Sequence, residues 1–372
     1  MIDRLVGKSI LAEMDKGFVV GLFGARRTGK TFLMKQLKEQ LAGVLYVQGD
    51  NLDIAEILGQ PRLSLLEPFV KGYRYLFIDE AQEIRGIGKT LKLVADTWPE
   101  LKIFVTGSSA TDLRDSIGEP LVGRSKFFYL FPIAQAEHNE SFTEARTGLD
   151  QKLIYGNYPQ VINADTTDDK AAMLASIRNG YLLKDILMLD RMKDPVFINN
   201  LLRLLAFQVG NDISYSELAS NLQVSHHTIQ RYLTLLEQTF VIFSLHGFSR
   251  NLRKEYSKAP RFYFWDNGIR NTIINNYSQL NARDDAGKLW ENFCQSERMK
   301  INHYRGRHLS SYFWRTYDQK EIDLIEDSMG ALAAFEFKWG TKPAKAPHAF
   351  SQAYPGASFE IINPENYLNF LS

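Results

Sequence analysis

The sequence predicts an α/β chain: an open, mostly parallel sheet, then a helical segment, a helix-turn-helix and a second, smaller α/β region. Three observations predict it. Short β-branched runs alternate with helical periodicity over the first third, beginning at "KGFVVGLFG". Two short amphipathic helices with capping residues follow in "SYSELASNLQVSHHTIQRYLTLL". Near the end, "EIDLIED" and "ALAAFEFKW" alternate with period two around "DSMG".

The totals allow this. A length of 372 residues has room for two or three domains, and 45% hydrophobic residues suffice for a packed core. The net charge of +1 shows no global basic excess, so any nucleic-acid surface must be a local patch. A single cysteine, Cys294, excludes an internal disulfide framework and a thiolate zinc cluster, and fits a reducing compartment. No run approaches the roughly 18 apolar residues of a membrane helix, and "MIDRLVGKSILAEMDKG" lacks a signal-peptide core. The expected location is the cytoplasm, with no membrane partner.

"KGFVVGLFG" is an apolar run ending in glycine and reads as a buried parallel strand. The next residues, Gly24 to Thr31, spell G-x-x-x-x-G-K-T, and Phe32, Leu33, Leu37 and Leu41 recur at helical spacing behind them. Strand, glycine loop and helix in that order make a phosphate cradle. Gly24 and Gly29 let the backbone amides around Arg27 and Thr28 turn inward, and the helix N-terminus adds its positive end. Lys30 would reach the β- and γ-phosphates of ATP, and the Thr31 hydroxyl would ligate Mg²⁺.

"YRYLFIDEAQEI" supplies a second buried strand ending in acids. Asp79 stands where a further Mg²⁺ ligand is needed, and Glu80 beside it can act as general base toward water. "LKIFVTGSSA" is a third strand ending in hydroxyl residues. Ser108 is the candidate sensor of the γ-phosphate, with Thr106 and Ser109 as rivals and a plain Gly-Ser turn as the alternative. Arg124, in "LVGRSKFFYLFPI", could stabilise the transferring phosphoryl group in cis or from a neighbouring subunit of a homo-oligomer; a surface arginine is the alternative.

From about Phe131 the pattern turns helical, in "QKLIYGNYPQVI" and "AAMLASIRNGYLLKDILML". Ser214-x-x-Glu217 then opens a short helix, Gln223-Val224 turns, and Ser225 caps a second helix with Ile229, Leu233 and Leu236 inward. That helix would expose His226, His227, Gln230 and Arg231 to phosphates or bases, with a structural, protein-packing role as the alternative of equal weight. "TFVIFSLHGFSRN" and "RFYFWD" read as the strands of a wing. The cluster Arg250, Arg253, Lys254, Lys258 and Arg261 adds local charge toward DNA, with a solvated face as the alternative.

Beyond "NARDDAG", a helix over "KLWENFCQSERMK" carries Glu291, and "SSYFWRT" reads as a strand. In the hairpin that follows, Glu336 and Lys338 share one face, and Phe335 and Phe337 take the other. A two-residue turn at Ser328-Met329 would pair Asp323 with Ala334, diagonal to Glu336 and on its face. Carboxylates at Asp323 and Glu336 with Lys338, and Glu291 completing the set, suit Mg²⁺-dependent phosphodiester cleavage. A salt-bridged hairpin is the alternative of equal weight.

Taken in order, "GARRTGKT", "LFIDEAQEI", "VTGSS", "LVGR", "GNYP", "YLLKDIL", "HTIQRYLTLLEQTF", "FYFWDNG", "LWENF", "FWRT", "EIDLI" and "FEFKWG" resemble the prokaryotic AAA-superfamily ATPases that end in a domain related to PD-(D/E)XK nucleases. The resemblance implies a P-loop NTPase sheet over residues 1–135, a helical lid over 136–205, a winged helix over 206–268 and a restriction-endonuclease-like α/β domain over 269–372. It implies ATP and Mg²⁺ at Gly24, Gly29, Lys30, Thr31, Asp79 and Glu80, and matches Glu291, Asp323, Glu336 and Lys338 to the nuclease-like pattern. The function expected is an ATP-hydrolysing switch or motor with a DNA-associated, nucleolytic C-terminal half. The alternative is a nucleotide-gated scaffold or signalling module with a silent one.

Overall fold

A computed structural model describes residues 2–108, 121–182, 186, 194–249, 259–316, 318–340 and 345–372. Ser109, Arg250, Arg253, Lys254 and Lys258 lie outside the described residues. The chain divides into two compact units, Met1–Phe131 and Pro132–Ser372.

In the first unit, strands β1 (Val19–Phe23), β2 (Val44–Gln48), β3 (Tyr75–Asp79), β4 (Lys102–Gly107) and β5 (Ser125–Tyr129) form one sheet in the order β2-β3-β4-β1-β5. Every pairing is parallel. β1 and β3 are buried along their whole length, as their unbroken apolar sequences require. β2 is an edge strand and only partly buried, and its mixed sequence VLYVQ gives no periodic signal. Helix α1 (Val6–Asp15) buries Val6, Ile10 and Met14, and α2 (Lys30–Glu39) buries Leu33, Met34 and Leu37. β1 is flanked by β4 and β5, with β2, β3 and β4 on one side and β5 on the other, so the order reverses around its C-terminal end. A ligand crevice opens at such a switch point.

In the second unit, the helices Tyr215–Leu222 and His226–Gln238 meet at a turn where Gln223 adopts φ 56°. Ser214 Oγ accepts from Glu217 N at 3.2 Å, and Ser225 Oγ from Thr228 N at 3.1 Å. His226, His227, Gln230 and Arg231 are exposed. β6 (Ile242–Gly247) and β7 (Arg261–Phe264) pair antiparallel. They do not end a separate domain. β6 also pairs with β8 (Ser310–Arg315), which continues through β9 (Glu321–Ser328) and β10 (Ala331–Phe337) to β11 (Ser358–Ile362). One six-stranded sheet, β11-β10-β9-β8-β6-β7, therefore crosses the boundary expected at residue 268. The long helix Ala286–Tyr304 buries Leu289, Trp290 and Phe293 in a core shared with Phe264, Leu324, Phe335 and Phe337.

The β9–β10 hairpin corrects the expected register. Ser328 pairs with Ala331, so the turn residues are Met329 and Gly330, with φ 52° and 92°. Two-residue hairpin turns favour such positive φ values because their twist matches the strands, and glycine adopts them without a Cβ penalty. Moving the turn by one residue moves the partner by two. Ala334 pairs with Ile325 rather than Asp323; the ladder ends at Phe335↔Leu324, and a register shift in β9 between the partners of Tyr312 and Trp314 falls at Asp323 and Leu324. The shift is even, so along β10 Ala334 stays on the face opposite Phe335 and Phe337, as the alternation requires.

Among the described residues, no helix is long and apolar enough to cross a membrane.

Candidate functional site

The glycine loop leaves β1 at Phe23 and enters α2 at Lys30. Gly24 is required by space: a Cβ there would lie 2.1 Å from the Leu130 carbonyl oxygen, just beyond β5. Gly29 sits at φ 101°, where a side chain is strained. Thr28 is fully buried, and its hydroxyl donates to the Ala25 carbonyl at 2.8 Å. Lys30 is buried with its ammonium inside the loop, donating to the carbonyls of Gly24 at 2.8 Å and Ala25 at 3.0 Å. Arg27 adopts φ 64°, and Thr31 is half-buried in the first turn of α2. A loop closed around an inward lysine at a helix N-terminus is the geometry that receives a polyphosphate.

Asp79 ends β3 and is buried. Its Oδ1 accepts from the Thr106 hydroxyl on β4 at 2.5 Å, and its Oδ2 from the Tyr46 hydroxyl on β2 at 3.1 Å. Burial first, and Asp79 next, push the Tyr46 hydroxyl above its ordinary range, so it remains a donor. Glu80 takes a left-handed conformation, φ 50°, and its backbone N–H donates to Thr106 Oγ1 at 3.1 Å. Its carboxylate accepts from Gln82 Nε2 at 2.5 Å, and that amide also donates to Ser108 Oγ at 3.3 Å. Thr106 is thus committed to Asp79 and Glu80, while Ser108 joins the Gln82–Glu80 pair.

Arg124 is not in this group. It precedes β5, whose Ser125 pairs with Val19 at the start of β1, and the Arg124 carbonyl accepts from Val19 N at 2.9 Å. The loop begins at the other end of β1, roughly 16 Å away at about 3.3 Å per residue. The guanidinium is exposed and ion-paired with Asp96. Parallel pairing places any residue before β5 at that edge, away from the loop, which leaves a role toward a neighbouring subunit or a plain surface arginine.

Several residues here carried no sequence signal. Arg4 is buried and spans the loop, donating from Nη1 to the Thr28 carbonyl and from Nη2 to the Phe131 carbonyl, both at 2.7 Å. Tyr46 and Gln82 are the others. Each acts through a partner distant in sequence or through a turn conformation, which no local pattern reveals.

In the second unit, Glu291, Asp323, Glu336 and Lys338 lie close enough to act on one another electrostatically. Phe337 N donates to Asp323 Oδ2 at 2.8 Å, and Lys338 Nζ to Glu336 Oε1 at 2.5 Å. Glu291 accepts from the Tyr263 hydroxyl at 2.9 Å and from Lys288 at 3.2 Å. Burial, then Glu291 and Glu336, hold the Asp323 carboxyl well above the usual range. Burial likewise raises Glu336, against the opposing pull of Lys338. Lys338 is lowered by burial but raised more by its pairing with Glu336. The Glu336 Oε2 atom is buried without a partner. Tyr263 and Lys288, absent from the sequence expectation, complete the set. Among the described residues, no group of three or more His, Cys, Asp or Glu is arranged to hold a metal ion.

Comparison with known proteins agrees with the first unit's geometry. Residues 16–139 match an AAA domain, and residues 146–280 and 286–366 each match a domain of unknown function, DUF8612 and DUF4143. Curated relatives include an uncharacterized protein of Mycobacterium tuberculosis, 26% identical over 331 residues, covering 88% of this chain and 71% of the relative. One from Haemophilus influenzae is 25% identical, covering 72% of each. Similar solved structures include the Walker-type ATPase PABY2304 of Pyrococcus abyssi, at TM-score 0.44 and 18% identity over 74% of this chain and 96% of that one. AMPPCP-bound DnaA from Aquifex aeolicus has TM-score 0.29 and 15% identity over 63% and 87%. At those scores neither likeness places individual residues. The AAA match and the loop geometry together make residues 16–139 an AAA-type, ATPase-like domain.

Proposed function

We propose that the chain binds and hydrolyses ATP, and that this turnover acts as a switch or motor for a second unit associated with DNA. The observation that carries the reading is Lys30, buried inside a glycine loop at the switch point of a parallel sheet. The amides of Gly24, Arg27, Thr28 and Gly29 would receive phosphate oxygens, and Lys30 would exchange its loop carbonyls for the β- and γ-phosphates. The residues suit Mg²⁺: Thr31 and Asp79 would hold it, the latter aimed by Thr106 and Tyr46. Bound there, it would neutralise charge on the phosphates. Water adds to the γ-phosphorus, its proton passes to Glu80, and ADP leaves. Glu80 must first release Gln82. Ser108 would sense the γ-phosphate, and Arg124 would serve an adjoining subunit's nucleotide. Lys30→Ala should abolish phosphate release from ATP; unchanged turnover would contradict the assignment.

The finer reading of the second unit is DNA contact through a winged helix, with Mg²⁺-dependent cleavage at Asp323, Glu336 and Lys338, completed by Glu291. The exposed His226, His227, Gln230 and Arg231 support the contact. One observation favours the scaffold reading instead. Both oxygens of Glu291, one of Asp323 and one of Glu336 are engaged within the protein. Asp323→Ala should remove any Mg²⁺-dependent DNA cleavage. If the wild-type chain cuts no DNA and shows no salt-sensitive DNA binding with or without ATP, the second unit is a scaffold.

A further inference from the structure

The second unit holds a cleft of about 190 Å³ none of whose lining residues belongs to the carboxylate cluster. His138, Glu140, Lys152, Tyr155, Asn157 and Lys170 line it. It is built around the Gly156-Asn157-Tyr158-Pro159 turn, to which no function has been attached. Gly156 is at φ 71°, and a Cβ there would meet the Asp266 carboxylate at 2.1 Å. Asn157 is pinned by its backbone on both sides: its N–H donates to Asp266 Oδ2 at 2.7 Å, and its carbonyl accepts from Ile133 N at 2.9 Å. A main chain held this firmly fixes where the side chain goes.

The charged side chains in the cleft have partners. Lys152 donates to Glu140 and to Gln135 Oε1, at 2.5 and 2.9 Å. Lys170 donates to Gln151 Oε1 at 3.0 Å and lies over the Tyr155 ring. Two neutral atoms are not matched. Asn157 Oδ1 and His138 Nε2 are buried without a hydrogen-bond partner, though both side chains are more than nine-tenths buried. His138 Nδ1 faces Glu140 Oε1 at 3.5 Å, so the ring proton is favoured on Nδ1 and Nε2 presents a lone pair. Burial first, then Lys152, lower the imidazole's basicity and favour this neutral form. Both orphans are therefore acceptors, and a buried acceptor left unmade costs about 1–3 kcal/mol. Two lysines in the lining oppose a cationic donor, leaving a neutral one.

We propose that this cleft binds a small neutral molecule through a planar –NH2 group, as primary carboxamides and amino-nucleobases carry, with Asn157 Oδ1 and His138 Nε2 as its acceptors. The two sources are told apart by probe. Saturation-transfer NMR on the full chain would compare nicotinamide with nicotinic acid, and adenosine with inosine, each pair differing at the –NH2 position. The expected result is saturable binding of nicotinamide or adenosine, with the partner lacking –NH2 at least tenfold weaker. Asn157→Leu and His138→Phe should each weaken binding at least tenfold, whereas Lys30→Ala, which empties the loop of its lysine, should leave it unchanged. Gln151→Trp, which fills the cleft from a half-buried lining position and leaves both acceptor residues unchanged, gives the same loss should the buried variants misfold. The proposal is overturned if neither amino probe binds, if the –NH2-lacking analogues bind equally, or if binding survives Gln151→Trp and is lost in Lys30→Ala.

Discussion

Replacing Arg4 by alanine tests whether the phosphate loop is braced from the N-terminal segment. The guanidinium makes two charge-assisted bonds, to the carbonyls of Thr28 and Phe131, from a buried position. Bonds to charged groups contribute about 1.5–3 kcal/mol each, so losing both costs on the order of 3–5 kcal/mol. With a urea dependence of about 2 kcal/mol per molar, the unfolding midpoint should fall by roughly 2 M. Thr28 immediately precedes Gly29 and Lys30, so its carbonyl also sets the aim of the loop. Every 1.4 kcal/mol lost there weakens nucleotide about tenfold. Arg4→Lys should recover part of the stability, because an ammonium lacks the planar fork that reaches both carbonyls. The assay is urea denaturation with parallel titration of a fluorescent ATP analogue. If Arg4→Ala unfolds at the wild-type midpoint and binds nucleotide equally well, the bracing argument is wrong.

Three further outcomes follow from the geometry. Gly24→Ala forces a Cβ against the Leu130 carbonyl, so stability should drop by about 3 kcal/mol and nucleotide binding with it; a wild-type melting curve would contradict the close approach. Asp323 is an acid whose folded value is raised, so its burial costs stability that is absent below the ordinary carboxylate range and grows as pH rises toward the folded value. Asp323→Asn cannot ionise, so its advantage in urea midpoint over wild type should widen between pH 4.5 and pH 8, and a narrowing gap would reverse the assignment. Arg124→Ala removes an exposed ion pair worth under about 1 kcal/mol, so stability should barely move. Mixing it with Lys30→Ala subunits should restore some ATP turnover if Arg124 acts across subunits, and no recovery at any concentration would end that role.

The loop was legible because its chemistry is contiguous: strand, glycines, lysine and helix follow one another between Val19 and Glu39. Asp79 and Glu80 were legible because a buried strand announces its own end. Arg4 was not, since its partners are a loop carbonyl and one 127 positions away. Tyr46 lies on an edge strand whose composition carries no alternation. The position of Arg124 was in principle readable, because a residue preceding a parallel strand lies at the edge away from the ligand. In the hairpin, alternation gave the right faces, but the turn was set one residue early; glycine at the second position of a positive-φ pair was the deciding signal. The joining of β6 to β8 had no local signature, because strand pairing at that separation is decided by packing.

The measurement closest to the central claim compares Lys30→Ala and Glu80→Gln with the wild-type chain for ATP binding and Mg²⁺-dependent phosphate release. Wild type should release phosphate, Glu80→Gln should still bind ATP but not turn it over, and Lys30→Ala should do neither. Phosphate release undiminished in both variants would contradict that claim.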